Sequence, residues 1–289
     1  SANRVEGGGA LVRNPVVAKI YEIPAGEDTA PRPSLDERFL GVNISIPGKI
    51  FDARRDFGAR GDGKTDDGEA IQKTIDAAKA FGKNALAYLP KGKYAISQTL
   101  RMEGKDYSLG GSGFRSILTW KGGVGPAILA IQDPDHLCLE NLSVGSDDEP
   151  QEGFDILQTG SSVKSTMTYD MVSVFGLYRK QAERRGLGLV GLGAGAQVQI
   201  RHLQGNLRIK NCARATLLAR TSYEGVVTIE GKDGGRGGLL GFLTRLGTKA
   251  LHSLYVRDSQ SVVMSDFYIE QADNGFLFTG NPGDAPGRI

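Results

Sequence analysis

A chain of 289 residues with a formal net charge of +2 lacks the domain-wide basic excess that nucleic-acid binding draws on. Hydrophobic residues make up 39% of it, too many for a disordered chain, yet no run of eighteen apolar residues is present to cross a membrane. Forty-one glycines point to many tight turns between short strands, while two cysteines, Cys138 and Cys212, are too few for a disulfide scaffold and read as small buried hydrophobes.

Residues 1–50 read as an irregular N-terminal arm packing on the main body: Gly7 to Gly9, a Pro-bearing stretch from Pro24 to Pro47, and short β-like pieces such as VVAKIYEI and VNISI. The start at Ser1, without a Met, reads as a mature or trimmed form and leaves room for a removed export signal. GARGDGKT at residues 58–65 formally satisfies the P-loop pattern. Its context contradicts that reading, because charged residues interrupt the preceding KIFDARRDF, where a buried strand is needed, and Asp66 and Asp67 stand where a polyphosphate would sit. From Thr65 the pattern turns helical. Asp66 with Glu69 makes a start like a capping box, Ile71, Ile75 and Ala78 share one face, and Phe81-Gly82 ends a helix over about 67–81.

Beyond Gly82 the grammar is strand and turn, as in ALAYLPKGKYAIS and in YSLGGSG followed by SILTW, where Trp120 reads as core or the edge of a first coil. A loose repeat follows. LCLENLSV (137–144), MTYDMVSV (167–174), LRIKNCAR (207–214) and VVMSDFYI (262–269) share alternating apolar positions around a polar corner occupied by Asn141, Asn211 or Asp266. Imperfect copies at this spacing mean a solenoid, and an all-β, right-handed parallel β-helix over residues 51–289 fits them, with the helix sealing its first coil. The glycine-rich runs at 186–196 and 231–241 read as turns or loops between coils. At the far end NPGDAPG precedes Arg288 and Ile289, which look like the opening of another strand, so the β-helix reads as incomplete there.

RDFGARGDGKTDDGEAIQKTIDAA, LAYLPKGKYAIS and SLGGSG together resemble the N-terminal signature of the pectate-lyase superfamily, over about residues 54–120. The resemblance implies the capped start of a β-helix and a carbohydrate-active protein, either a polysaccharide lyase or a glycoside hydrolase, with uronate-containing substrates favoured. The alternative it leaves open is a non-catalytic glycan-binding or tailspike-like element. It further implies a secreted, periplasmic or cell-surface protein, monomeric or homotrimeric, with a polysaccharide or oligosaccharide as partner. Gly68 departs from the family pattern, where a small residue such as Thr often follows the paired Asp.

Hydrolysis of a glycosidic bond needs an acid and a second carboxylate, and elimination needs a base and a cation beside the uronate. Outward-facing candidates for these roles are Glu270 first, then Asp266, Glu224 and Asp170. For substrate binding, LYRKQAERRG gathers Tyr178, Arg179, Lys180, Arg184 and Arg185, which suit an acidic glycan. No cofactor is expected. Calcium is an option at Asp147, Asp148, Glu149 and Glu152, while His136, His202 and His252 form no metal-ligand spacing.

Overall fold

In the computed structural model, the described residues are 47–145, 153–162, 164–174, 186–193, 196–212, and short strands between 216 and 279, for which, apart from Val227, the backbone alone is described. All of them fall in one compact unit, Asn43–Ile289.

The fold begins with a dense set of carboxylate-to-backbone bonds. Asp52 Oδ1 accepts from the N–H groups of Arg54 and Arg55, and Asp62 Oδ1 accepts from those of Lys64 and Thr65. Asp67, 2% exposed, accepts from Arg60 N–H at 2.6 Å and Gly61 N–H at 2.9 Å. These are the N–H groups that a phosphate-binding loop would aim at its ligand, and side-chain anions already occupy them. Glycine is required at position 61: φ is +62°, and a Cβ would lie 2.4 Å from Arg54 Nη2 and 2.9 Å from the Tyr94 ring.

Helix α1 (Gly68–Phe81) follows, with Ile71, Ile75 and Ala78 fully buried against the coils. Its first turn is not a capping box. The N-cap is Asp67, whose carboxylate is turned back onto the preceding loop, while Asp66 Oδ1 takes the Gly68 N–H at 3.0 Å. Gly82 ends the helix at positive φ and gives its N–H to Ala78 O.

Every strand pairing among the described residues is parallel, and the chain winds through three faces in turn, giving a right-handed parallel β-helix. The first face stacks β1 (Ile50–Asp52), β3 (Ala85–Leu89), β5 (Tyr107–Gly111), the start of β7 (Leu137–Val144), the start of β9 (Thr166–Val174), β11 (Gln197–Ile200) and β14 (Thr216–Ala219). The second stacks β2 (Asp62–Asp66), the starts of β4 (Gly92–Lys105) and β6 (Ser116–Asp135), the ends of β7 and β9, and β12 (Leu203–Gln204). The third continues from the ends of β4 and β6 through β8 (Phe154–Thr159), β10 (Leu187–Val190), β13 (Leu207–Lys210), β16 (Val227–Glu230), β18 (His252–Arg257) and β20 (Asn274–Thr279). Alternate side chains enter one continuous core. On β3 these are Ala85, Ala87 and Leu89, and Trp120 lies in the same core.

Corners between faces are made by single residues in the left-handed region. Asp133 (φ 41°), close to the end of β6, and Gly160, Gly191 (φ 65°) and Asn211 (φ 53°), each directly after its strand, follow residues that are in register on the third face. Asn141 (φ 54°) and Met171 (φ 52°) form a different column, between the first and second faces. The sequence repeat is thus corrected. LCLENLSV and MTYDMVSV are true equivalents, whereas LRIKNCAR ends at the other corner; Asn suits any left-handed position and does not mark phase. Asn211 Oδ1 has no hydrogen-bond partner, so no inter-coil amide bond forms through that atom. Residues 187–190, expected as loop, form a buried strand instead. Cys212 is buried as expected, but Cys138 is outward-facing and half-buried.

Candidate functional site

The outer side of the first face carries the site. Outward positions register from coil to coil as Asp52, Tyr88, Gly110, Glu140 and Asp170, and Arg201 follows directly after the strand that pairs with β9. Parallel pairing of β7 with β9 sets Glu140 and Asp170 one strand spacing apart, about 4.8 Å between backbones. Asp170 Oδ2 accepts a hydrogen bond from Arg201 Nη1 at 3.4 Å. Burial pushes the Glu140 carboxyl above its ordinary range, the Asp170 carboxylate adds to this, and Arg201 partly opposes both.

Gly110 makes room for this arrangement. A Cβ there would lie 2.8 Å from Glu140 Cγ, so the glutamate stem lies over the bare backbone of the preceding coil. Two residues before Glu140 on the same outer side, Cys138 registers with Ser108 and Thr168. Burial pushes its thiol well up, which leaves it a poor nucleophile.

One edge of the site is raised. The turn η1 (Gly113–Arg115) brings Phe114, 38% exposed, to 6.3 Å between ring centroids from His202. Tyr88 Oη and Ser112 Oγ lie 2.6 Å apart, tying the turn to the preceding coil. Met171, 40% exposed, stands at the same corner directly after Asp170. Together these groups border a row holding Glu140, Asp170 and Arg201.

Of the acids expected from sequence, Asp170 is in this row. Glu224 and Glu270 lie on a separate three-stranded ladder, β15 (Tyr223–Glu224), β17 (Thr244–Gly247) and β19 (Phe267–Glu270). There Glu224 registers with Gly247 and Gly247 with Glu270, a backbone separation of two rungs that does not join them to Asp170. Asp266 lies outside the described residues, as do Tyr178, Arg179, Lys180, Arg184 and Arg185 and the acidic stretch proposed for calcium. Glu140 was missed. Its signal was present, since it holds in LCLENLSV the position that Asp170 holds in MTYDMVSV.

Residues 51–126 match the family described as Rhamnogalacturonase A/epimerase, pectate lyase-like. The strand winding and this match support a pectate-lyase-like parallel β-helix. The chain is 58% identical over 43 residues to Alginate lyase 7 of Azotobacter vinelandii, 15% of this chain and 5% of that protein. It is 49% identical over 70 residues to Mannuronan C5-epimerase AlgE3 of the same organism, 23% of this chain and 4% of that protein. A third relative, Probable glucan endo-1,3-beta-glucosidase of Arthroderma benhamiae, is 38% identical over 60 residues, 18% of this chain and 7% of that protein. The matches therefore span only a small part of the relatives' length. Their names cover three different reactions on polysaccharide.

Proposed function

We propose that the protein cleaves an acidic polysaccharide along the outer side of the first face, with Glu140 as the proton donor. The observation that carries this reading is the Glu140–Asp170 pair on adjacent rungs, in which burial and the neighbouring carboxylate keep Glu140 protonated to higher pH. A carboxylic acid that retains its proton can give it to a leaving glycosidic oxygen, and a carboxylate beside it can support positive charge growing on the sugar ring. One strand spacing favours the close carboxylate pairing of direct attack over the wider gap that admits a water. Arg201 offers a guanidinium within reach of a sugar carboxylate once Asp170 releases it. The uronate preference rests on that group and on the alginate and mannuronan named in two of the relatives.

Elimination is the second reading, favoured by the match to an alginate lyase. In it Asp170 would take the C5 proton, Glu140 would give its proton to the leaving oxygen, and Arg201 would neutralise the uronate carboxylate. Both readings put the protein's substrate outside the cytoplasm. The test is incubation with polymannuronate, polyguluronate, pectate and β-1,3-glucan while following reducing ends and the absorbance of unsaturated uronates. Reducing ends without new absorbance are expected; absorbance growing with them would move the assignment to elimination. Silence in both channels would overturn the enzymatic reading in favour of a glycan-binding β-helix.

A further inference from the structure

A groove runs between the start of α1 and the corner where β4 passes from the second face to the third. It consists of two basins of about 530 and 360 Å³ that share Ser97, Gln98 and Thr99. Each lies within the size range of small-molecule sites, and two basins in line suit an elongated ligand better than a compact one. None of their lining residues belongs to the Glu140 row.

The walls are fixed before any ligand arrives. Gln72 Oε1 accepts from Arg101 N–H at 2.8 Å and its Nε2 donates to Arg101 O at 3.1 Å, which ties the helix to the coil. Thr99 Oγ1 donates to Ala127 O at 2.6 Å, and Ser97 Oγ donates to Asp66 Oδ2. Gly125 lies so close to Thr99 that a Cβ would meet its Oγ1 at 2.0 Å, so the floor of the smaller basin depends on a missing side chain. Gln98 is exposed at the junction of the two basins.

We infer that this groove is a second, non-catalytic carbohydrate site that takes a neutral oligosaccharide. Its lining of amides and hydroxyls offers the mixed donors and acceptors that vicinal sugar hydroxyls pair with. Asp66 and Glu69 line the larger basin and Arg101 the smaller, and Glu69 is already paired with Lys73 at 2.6 Å, so the groove offers little unpaired charge to a uronate carboxylate while its acids still accept from sugar hydroxyls. The inference is independent of the reaction at Glu140, since a protein with no activity can still bind here.

The experiment is isothermal titration of the whole chain with cellohexaose, laminarihexaose and mannohexaose, with an oligomannuronate as the charged control. At least one neutral hexamer is expected to bind, with Gln98→Ala weakening it fivefold or more, Gln98→Trp blocking it, and Glu140→Gln leaving it unchanged. Because Gln98 is exposed, both variants should melt with the wild type. The inference is overturned if no neutral hexamer binds, if Gln98→Ala binds as the wild type does, or if Glu140→Gln abolishes binding. Tighter binding of the oligomannuronate, lost in Gln98→Ala, would also overturn it.

Discussion

A carboxyl group that has lost water and faces a second carboxylate one rung away holds its proton to higher pH than it would in solution, and Glu140 meets both conditions. Glu140→Gln keeps the shape and removes the exchangeable proton, so kcat on the cleaved polysaccharide should fall by about 10²–10⁴-fold, read by reducing-end release. The folded state holds that proton more tightly than the unfolded state, so the contribution to stability is present below the ordinary glutamate range and is lost as pH rises through the raised value. Melting temperature should accordingly fall less with rising pH in Glu140→Gln than in the wild type. Gly110→Ala tests the same site from behind, because the new methyl meets Glu140 Cγ at 2.8 Å and pushes the acid aside. The methyl also meets Glu140 O and Leu86 Cδ1 at 3.1 Å, so melting should fall too, and activity per folded molecule should drop further; unchanged activity per folded molecule would dissociate Glu140 from the reaction. Asp62 behaves in the opposite sense. Hydrogen bonds from Thr65 N–H, Lys64 N–H and the Thr65 hydroxyl lower its carboxyl to about 2. Its contribution is present above its unfolded pKa of about 4 and fades as pH falls toward the folded value. A scan of melting temperature against pH should show a shallower acid limb in Asp62→Asn.

At the scale of elements, the cap was the most legible part of the sequence, because its evidence is local. The apolar spacing of Ile71, Ile75 and Ala78 fixes a helix face without reference to anything distant. Replacing Ile75 by Asp forces an unpaired charge into a fully buried position, and the loss should exceed the ~2–5 kcal/mol of an ordinary truncation there, measured by urea unfolding. The strand Leu187–Val190 was not legible, and the cause is physical. Its glycines look like loop residues, yet Gly188 is bare because a Cβ there would lie 2.4 Å from Phe154 Cε1, and Gly191 turns a left-handed corner. Glycine demanded by close packing cannot be told from glycine in a loop without knowing the neighbouring coil. Glu140 was hidden for a related reason. A half-buried acid and a solvated one are the same letter, so the matching places of the two acids in LCLENLSV and MTYDMVSV become informative only once their register is known. The first choice, Glu270, stands on a strand whose partners are β17 and, beyond it, β15, so the chain brings it no nearer to Asp170.

Across the whole molecule, each coil contacts chiefly the coil before and the coil after, so stability accumulates as a sum of neighbouring interfaces. The regular part, three faces filled by alternating apolar residues, follows from the two-residue period of a strand. The irregular part lies in the corners. Gln197 is in register with Thr166 before it and Thr216 after it, so successive coils differ greatly in length while their strands stay aligned. The difference falls between the strands, whose register is kept. This is why a winding scheme could be read from the sequence while the rows of facing side chains could not.

The seal made by α1 has a consequence for how molecules of this chain meet each other. Without it, the first winding would offer its rim of backbone N–H and C=O groups, and an oily disc behind them, to any identical neighbour. Ile75→Asp should therefore do more than loosen one end: molecules should associate through the uncovered rim as concentration rises, visible by light scattering.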